Sequence, residues 1–398
     1  MKKFVITAGT LSGNRGAEAM VTTCIQQIKF YHPKAIICIA TYYPKEDFKE
    51  LNKPFFKKFD NVYIYSLTPF SLIFKYLPLA IIAKILPFLK NNQFRHFGSI
   101  LNLLNTDLVL DVAGVSFIDG REKFLGYNVL SILPFLMHKI NVIKLPQALG
   151  PFNNKINYFT AKFFLNKCER VYCRGKLSLQ YVKQIKKKDN FYFCPDISFS
   201  LKNINIKDFK SRSNKHIAIS PSSLVMSKNH KYIDKLVEII KNLQKDGFTI
   251  KLILHSWRNS SQSRNNDLVA ANKINHLLKN KLEIIGYGKN SKEIREEISK
   301  FQLVIVSRFH AMISALDTFT PVLVIGWSHK YKEILNQFGL GDKYCLDYSK
   351  VNLETITIKI REIYDDRLNI SELIKNKLPI IKKQTNQHLH SIFNDIKN

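Results

Sequence analysis

None of the six cysteines, Cys24, Cys38, Cys168, Cys173, Cys194 and Cys345, forms a CxxC pair, and none joins the histidines at ligand spacing. That excludes a zinc finger or ribbon and points to reduced thiols in a cytosolic compartment without a structural metal. The chain opens directly on the strand-like KKFVITAG, with no long apolar stretch leading to a small-residue cleavage site, so export is not expected. No internal repeat is found, and the glycines supply neither GxGxxG nor a P-loop. Acidic residues are scarce: 31 Asp and Glu face 61 Lys and Arg, a formal charge of +30. Such an excess favours polyanions or an anionic membrane face. With neither zinc-finger spacing nor an RNA-binding aromatic motif beside it, nucleic acid is not expected as a partner. The abundance of Lys, Asn and Ile along the whole chain, as in AT-rich genomes, is a purely compositional source for the same charge.

What is present is enough apolar material for two cores. With 398 residues, 45% of them hydrophobic, the chain accommodates two domains of somewhat under about 200 residues each. KKFVITAGT, AIICIATYY, NVYIYSL, DLVLDVAG, INVIKLPQALG and RVYCRG are continuous apolar runs, the signature of parallel strands buried on both faces. A helix is predicted from about Ala17 to Phe30, after the loop LSGNRG. Beyond the polar stretch 202–215 the pattern starts again with KHIAISPSS, FTIKLILHSW, KLEIIGYG, QLVIVSRFH and PVLVIGWS, separated by helical stretches such as YIDKLVEIIKNLQKDG. Two successive arrays of this kind predict an α/β protein of two doubly wound, Rossmann-like domains facing a cleft, the default binding site. The boundaries read 1–205, 206–375 and a lysine-rich C-terminal helix, 376–398, that straps the two together.

LTPFSLIFKYLPLAIIAKILPFLK, residues 67–90, departs from this pattern. Lys75, Lys84 and three prolines interrupt it, which argues against a membrane-spanning helix of about 20 apolar residues. Two short helices broken near Pro78 are predicted, either as buried structure or as an apolar flap resting on the inner face of a membrane. Lys75 and Lys84, nine residues apart, would point to opposite sides of a continuous helix, which weakens the amphipathic reading.

Four groups of residues are candidates for chemistry. In GTLSGNRGAEAM, Gly13 and Gly16 permit close backbone approach ahead of a helix N-terminus, and Asn14, Arg15 and Glu18 add polar groups; tight packing of a βα turn explains the same residues. In DVAGVSFIDG, Asp111, Gly114 and Asp119 lie at the carboxyl edge of a strand, where ligands bind and where aspartates also cap turns. Gln147, Arg174, Ser178 and Asp196 follow other strand ends. Arg174 is either a bidentate clamp for phosphate or carboxylate or half of a salt bridge, and Asp196 is either a general base or a turn residue. Finally, VSRFHAMISAL places Arg308 and His310 on one side of an extended segment, with Phe309 turned to the core and a helix starting behind them. Arg308 keeps its charge, whereas His310 exchanges a proton near neutrality, a pair suited to an anionic substrate whose reaction needs an acid. An ordinary structural histidine is the competing reading.

GNRGAEAM, DVAGVSFIDG, LPQALGPF, VYCRGKLS, CPDISFSL, SRFHAMISAL and PVLVIGWSHKYKEIL occur in the order and register of the polysaccharide pyruvyl transferases, which the chain resembles from about residue 5 to 345. The resemblance implies a GT-B-like fold and transfer of pyruvate from phosphoenolpyruvate, the donor substrate, to a sugar diol as a ketal, with release of phosphate and no cofactor. It implies that Arg308 and His310, on the family's Arg-aliphatic-His motif, contact phosphoenolpyruvate, and that Arg174 is a second anion ligand. Phe309 stands where leucine is usual, and Ala113 where a second glycine is frequent.

Protonation of the methylene carbon falls to His310, and the hydroxyl proton to Asp196, Asp119 or Glu18. His255 and Trp257 end a strand and face the cleft, as a hydrogen-bonding partner and a stacking platform for the sugar, or simply as packing. Lys330 touches phosphate or is a surface lysine. The acceptor expected on this reading is a cell-envelope glycan intermediate, lipid-linked at the cytoplasmic face of the membrane. Two alternatives stay open. One is a GT-B glycosyltransferase with a nucleotide-sugar donor, for which Glu333 offers a ribose ligand. The other is a noncatalytic protein binding polyanions or a membrane surface.

Overall fold

The computed structural model describes residues 1–90, 99–258, 265–326, 329–347 and 352–394. Trp327 and Ser328 of the PVLVIGWSHKYKEIL motif lie outside these. The chain divides into two compact units: Met1–Ser12, Met20–Ser200 and Gln384–Asn398 form the first, and Gly13–Ala19 with Leu201–Lys383 form the second. Residues 13–19, read from the sequence as part of domain 1–205, thus belong to the second unit.

The first unit holds the strands β1 (Lys3–Thr7), β2 (Ile36–Thr41), β3 (Val62–Ser66), β4 (Leu108–Asp111), β5 (Val142–Gln147), β6 (Arg170–Cys173) and β7 (Phe191–Phe193). All pair in parallel, in the order β3-β2-β1-β4-β5-β6-β7. The continuous apolar runs have their explanation here: alternate residues of one strand feed two cores. Phe4 and Ile6, Ile37 and Ile39, Leu108 and Leu110 go to one face, and Val5, Cys38, Ala40 and Val109 to the other. The first face is covered by Val21, Cys24, Ile25 and Ile28 and by Leu389, Ile392 and Phe393 from the end of the chain.

The second unit repeats the scheme with β8 (His216–Ser220), β9 (Thr249–Ile253), β10 (Ile284–Ile285), β11 (Leu303–Val306), β12 (Val322–Gly326) and β13 (Cys345–Asp347), in the order β10-β9-β8-β11-β12-β13. Each sheet reverses direction beside its first strand, between β1 and β4 and between β8 and β11, the switch point at which loops part and ligands are received. The short strands β7 and β13, each at a sheet edge and only partly buried, escaped the sequence pattern.

The C-terminal helix runs from Arg367 to Asn394 with Pro379 inside it, and so begins earlier than the boundary at 376 read from composition. All six cysteines are buried, and none is in a disulfide. Burial pushes the Cys38 thiol up to about 11 and those of Cys24, Cys168 and Cys194 upward as well, which leaves them inert.

Segment 67–90 does not break at Pro78. An α-turn at Pro69–Ser71 passes into a π-helical stretch, Leu72–Tyr76, and on into the helix Leu77–Ile85. Pro78 is the second residue of that last helix, at the point where the π-helical stretch gives way to the α-helix. Among the described residues no helix is long and apolar enough to cross a membrane.

Candidate active site

At the switch point of the second sheet, Ser307 N extends the ladder by donating to Ser220 O at 3.1 Å. Arg308 is the last extended residue (φ −112°, ψ 135°) and caps the helix Phe309–Asp317, its carbonyl accepting Met312 N–H at 3.2 Å. His310 therefore lies in the first helical turn and not in the extended stretch expected from the two-residue spacing. The run Phe309–Leu316 contains no glycine or proline, so nothing holds the helix back from the strand end. Phe309 is buried, edge-on to the His310 ring at 5.1 Å and tilted on Tyr331 at 5.7 Å.

Arg308 is anchored from behind. Its Nε donates to both oxygens of Asp267 at 3.0 Å, and its Nη2 donates to Asp267 Oδ1 at 2.5 Å and to Ser223 Oγ at 3.2 Å. Asp267, wholly buried, also accepts Ser223 N–H and Ser256 N–H, each at 3.0 Å. Burial works against the Arg308 charge, but the adjoining carboxylate more than restores it, and the guanidinium pKa is raised. Nη1 forms no hydrogen bond among the described residues, and the side chain keeps 16% exposure. Asp267 was missed by the sequence reading: as the first residue of the helix Asp267–Leu277, next to its cap Asn266, it looks like any acidic first-turn residue.

The segment from the start of the chain completes the arrangement. Asn14 bridges Ser256 in antiparallel fashion; Arg15 N donates to His255 O at 3.1 Å and Trp257 N to Gly13 O at 2.9 Å. Gly13 has φ +71°, and a side chain there would meet the Arg258 guanidinium. Gly16 lies directly on the His310 imidazole, so closely that a methyl group would overlap the ring. Asn14 Oδ1 accepts Gly16 N–H at 3.0 Å. Arg15 and Glu18 form a buried ion pair, and Glu18 Oε1 accepts Ser291 N–H at 2.9 Å and Ser291 Oγ–H at 3.2 Å. These two residues hold the loop in place from within.

His255 is buried, with Nε2 at 3.1 Å from Ser314 Oγ, whose proton goes to His310 O at 2.8 Å. The hydroxyl is thereby an acceptor toward His255, which makes Nε2–H the tautomer. Burial, reinforced by the charges of His310, Arg295, Arg308 and Arg15, holds the His255 pKa well below its ordinary value. The folded protein keeps this ring neutral where the unfolded chain takes up a proton. Stability is accordingly full above the unfolded pKa of about 6.5 and declines below it, by up to about 1.4 kcal/mol per pH unit. Urea unfolding at pH 7 and pH 5 should show this slope, and His255→Asn should remove that part of it. Trp257 stacks on Tyr287 (4.4 Å between ring centres, 20° between planes), which covers one of its faces. Lys330 Nζ stands 5.2 Å from the centre of the Phe309 ring.

In the first unit the predicted residues are bound to one another. Asp111 accepts Lys144 Nζ at 2.5 Å and Gln147 Nε2 at 2.9 Å, all three buried, and Gln147 Oε1 meets Ser116 Oγ at 2.5 Å. Lys144, placed mid-strand by an otherwise apolar run, was not anticipated. Arg174 donates from Nη1 to Asp196 at 2.9 Å and from Nη2 to Gly114 O at 2.9 Å, with Arg174 3% and Asp196 0% exposed. Asp196 also accepts Ser198 N–H, so proton abstraction by this carboxylate requires the pair to open. Ser178 Oγ accepts Leu149 N–H at 3.1 Å. Asp119 accepts Asn153 N–H at 2.6 Å, Asn154 N–H at 3.2 Å and Asn157 Nδ2 at 2.7 Å, the contacts of a loop organiser.

A family model described as polysaccharide pyruvyl transferase matches residues 14–329, from the Asn14 loop through the Arg308–His310 junction to the helix at His329. The chain belongs to this family. No curated protein sequence matches the transferase. Among solved structures, the UDP-GlcNAc 2-epimerase of Neisseria meningitidis bound to UDP-GlcNAc is similar at a TM-score of 0.61 and 13% identity, covering 99% of this chain and 100% of that one. HepE of Anabaena in complex with UDP-glucose follows at 0.60 and 12%, covering 99% and 100%. At these identities the likeness concerns the fold alone: the transferase has the two-domain α/β architecture of the GT-B class.

Proposed function

We propose that the transferase takes its pyruvyl group from phosphoenolpyruvate and delivers it as a ketal to a diol on a cell-envelope glycan intermediate. The observation that carries the reading is Arg308, locked by Asp267 at the N-terminus of Phe309–Asp317 with one edge still open, in the same short turn as His310. A doubly anionic donor complements the guanidinium edge, the helix amides and the Lys330 ammonium.

His310 acts as acid and protonates C3 of the enol, turning the methylene into a methyl group, while one sugar hydroxyl adds to C2 and loses its proton. The C2–O bond to phosphate then breaks, and the second hydroxyl adds to the same carbon. Two O–H bonds are lost in all; one proton ends on C3 and the other on the departing phosphate. Gly13, Asn14 and Gly16 shape the wall against His310, and His255 supports that residue through Ser314 from beneath. Arg174 is assigned as a second anion contact and Asp196, once the pair between them opens, as the base on the acceptor side, with Gly114, Gln147 and Asp119 supporting that loop.

The purified protein with phosphoenolpyruvate and a panel of oligosaccharide acceptors should release phosphate, and His310→Ala should slow release by about 10²–10⁴-fold. Phosphoenolpyruvate, rather than UDP-glucose or UDP-GlcNAc, should raise the melting temperature. Stabilisation by the nucleotide sugars alone would replace this reading with glycosyl transfer.

A further inference from the structure

The helical run from Pro69 to Ile85 belongs to the first unit and is apolar on both of its sides, only one of which packs into the core among the described residues. Leu72, Tyr76, Ala80 and Ala83, spaced by four, four and three, are buried in the core cluster on one face of the first sheet. The opposite stripe faces solvent: Phe70 is 73% exposed, Phe74 68% and Ile85 71%, with Ile73, Ile81, Ile82, Leu86 and Phe88 also exposed. Phe70 and Phe74 lie 4.9 Å apart, ring centre to ring centre, so the aromatic part of the stripe is continuous. A helix that shows one apolar face to the core balances it with polar residues outside; here the outside is as apolar as the inside. Contiguous patches of this kind mark a surface built to be covered.

Charge tells what covers it. Between Asp60 and Asp107 the sequence contains no acidic residue. The only charged side chains on the helical run itself are Lys75 and Lys84, both exposed. Nine residues apart, they fall on the two flanks of the apolar stripe, which is how paired lysines reach headgroups while the centre enters the acyl region. The spacing that counts against an amphipathic helix in the bare sequence thus frames the exposed stripe once the inner face is packed. A second copy of this chain docking here would set lysine against lysine, whereas an anionic surface attracts both, as does the net charge of +30. With one face committed to the core, the helix lies along a bilayer and does not cross it.

We infer that Phe70, Phe74, Ile81, Ile85 and Phe88 form a docking surface for the interface of an anionic lipid bilayer, with Lys75 and Lys84 at the phosphates. The inference is independent of the donor the transferase uses, and vesicle binding reads it without turnover.

Full-length protein is sedimented with vesicles of phosphatidylcholine alone and of phosphatidylcholine with phosphatidylglycerol. Binding is expected to the second kind, weakened about tenfold or more by Phe74→Ser with Ile85→Ser, since two large apolar side chains leave the acyl boundary, and reduced also by Lys75→Gln with Lys84→Gln. Phe74→Trp, as a reporter, should show a blue-shifted emission with anionic vesicles. These positions are exposed, so far-UV circular dichroism should be unchanged in every variant. Absence of binding, binding untouched by the Phe74/Ile85 change, or emission from the Phe74→Trp variant that is insensitive to lipid would each overturn the inference. So would a dimer in analytical ultracentrifugation that the same Phe74/Ile85 change dissolves, which would assign the face to a second copy.

Discussion

Asp267→Ala is expected to cost the transferase about 3–5 kcal/mol of stability and nearly all of its activity. The carboxylate is fully buried and neutralises Arg308 through contacts to Nε and Nη2, while also tying down the turn after β8 at Ser223 and the turn after β9 at Ser256. Removing it leaves a guanidinium without its counter-charge in a largely desolvated place and two amides without their acceptor, the situation in which breaking a buried pair is most costly. Asp267→Asn keeps the shape and one acceptor oxygen but loses the charge, so it should fold better than alanine. Activity should still fall by about 10²-fold, because a displacement of the guanidinium by about 1 Å is enough for a loss of that size. Urea unfolding and phosphate release, measured on both variants, check this. An Asp267→Asn enzyme with wild-type turnover would mean that the anchoring of Arg308 is irrelevant to the reaction.

Gly16→Ala should produce the second large effect, and by a different route. Gly16 is the second residue of the helix Arg15–Tyr31 and has no positive φ, so alanine is acceptable to the backbone and is even the better helix former by about 1 kcal/mol. The difficulty is purely spatial. The new methyl would occupy the space of the His310 ring and Cβ, parts of the side chain that cannot swing aside without moving the start of the helix Phe309–Asp317. Overpacking of this kind costs about 1–3 kcal/mol, which leaves the protein folded with His310 displaced. Turnover should fall about as far as in His310→Ala, and the double variant should be no worse than either single one, since all remove the same group from the same place. Additive losses in the double variant would show that Gly16 acts through something other than His310.

The docking stripe shows how far composition can carry a reading. An apolar segment interrupted by lysines and prolines was legible in the sequence, and so was its failure to span a bilayer. Which of its residues face the core was not, because both sides of the run are apolar and hydrophobicity alone does not tell the packed side from the exposed one. A similar limit applies to His310. Alternation in an extended chain was projected past Arg308 to His310, but the helix takes over already at Phe309, since each new residue adds a hydrogen bond once a turn has formed.

The candidate residues of the first unit make the same point from the other side. Arg174 and Asp196 were singled out separately as an anion ligand and a base, and they are partners of one another. Asp111 and Gln147, from different strands, share a hydrogen bond with Lys144 beside them. Polar residues at strand ends are visible in any sequence, but whom they bind depends on which strands become neighbours.

The amino-acid sequence by itself determined the α/β class, the repetition of the strand pattern, and the strand-to-helix junction that carries Arg308 and His310. These follow from local hydrophobic runs and from the absence of helix breakers, and neither needs a distant partner. Only the tertiary structure decided that Asn14, Gly13 and Gly16 pack against the residues after β9 and against His310, and that Asp267 is the anchor of Arg308. Such contacts join parts of the chain far apart in sequence, and their energy comes from burial, paired charge and steric fit, none of which leaves a period to be read.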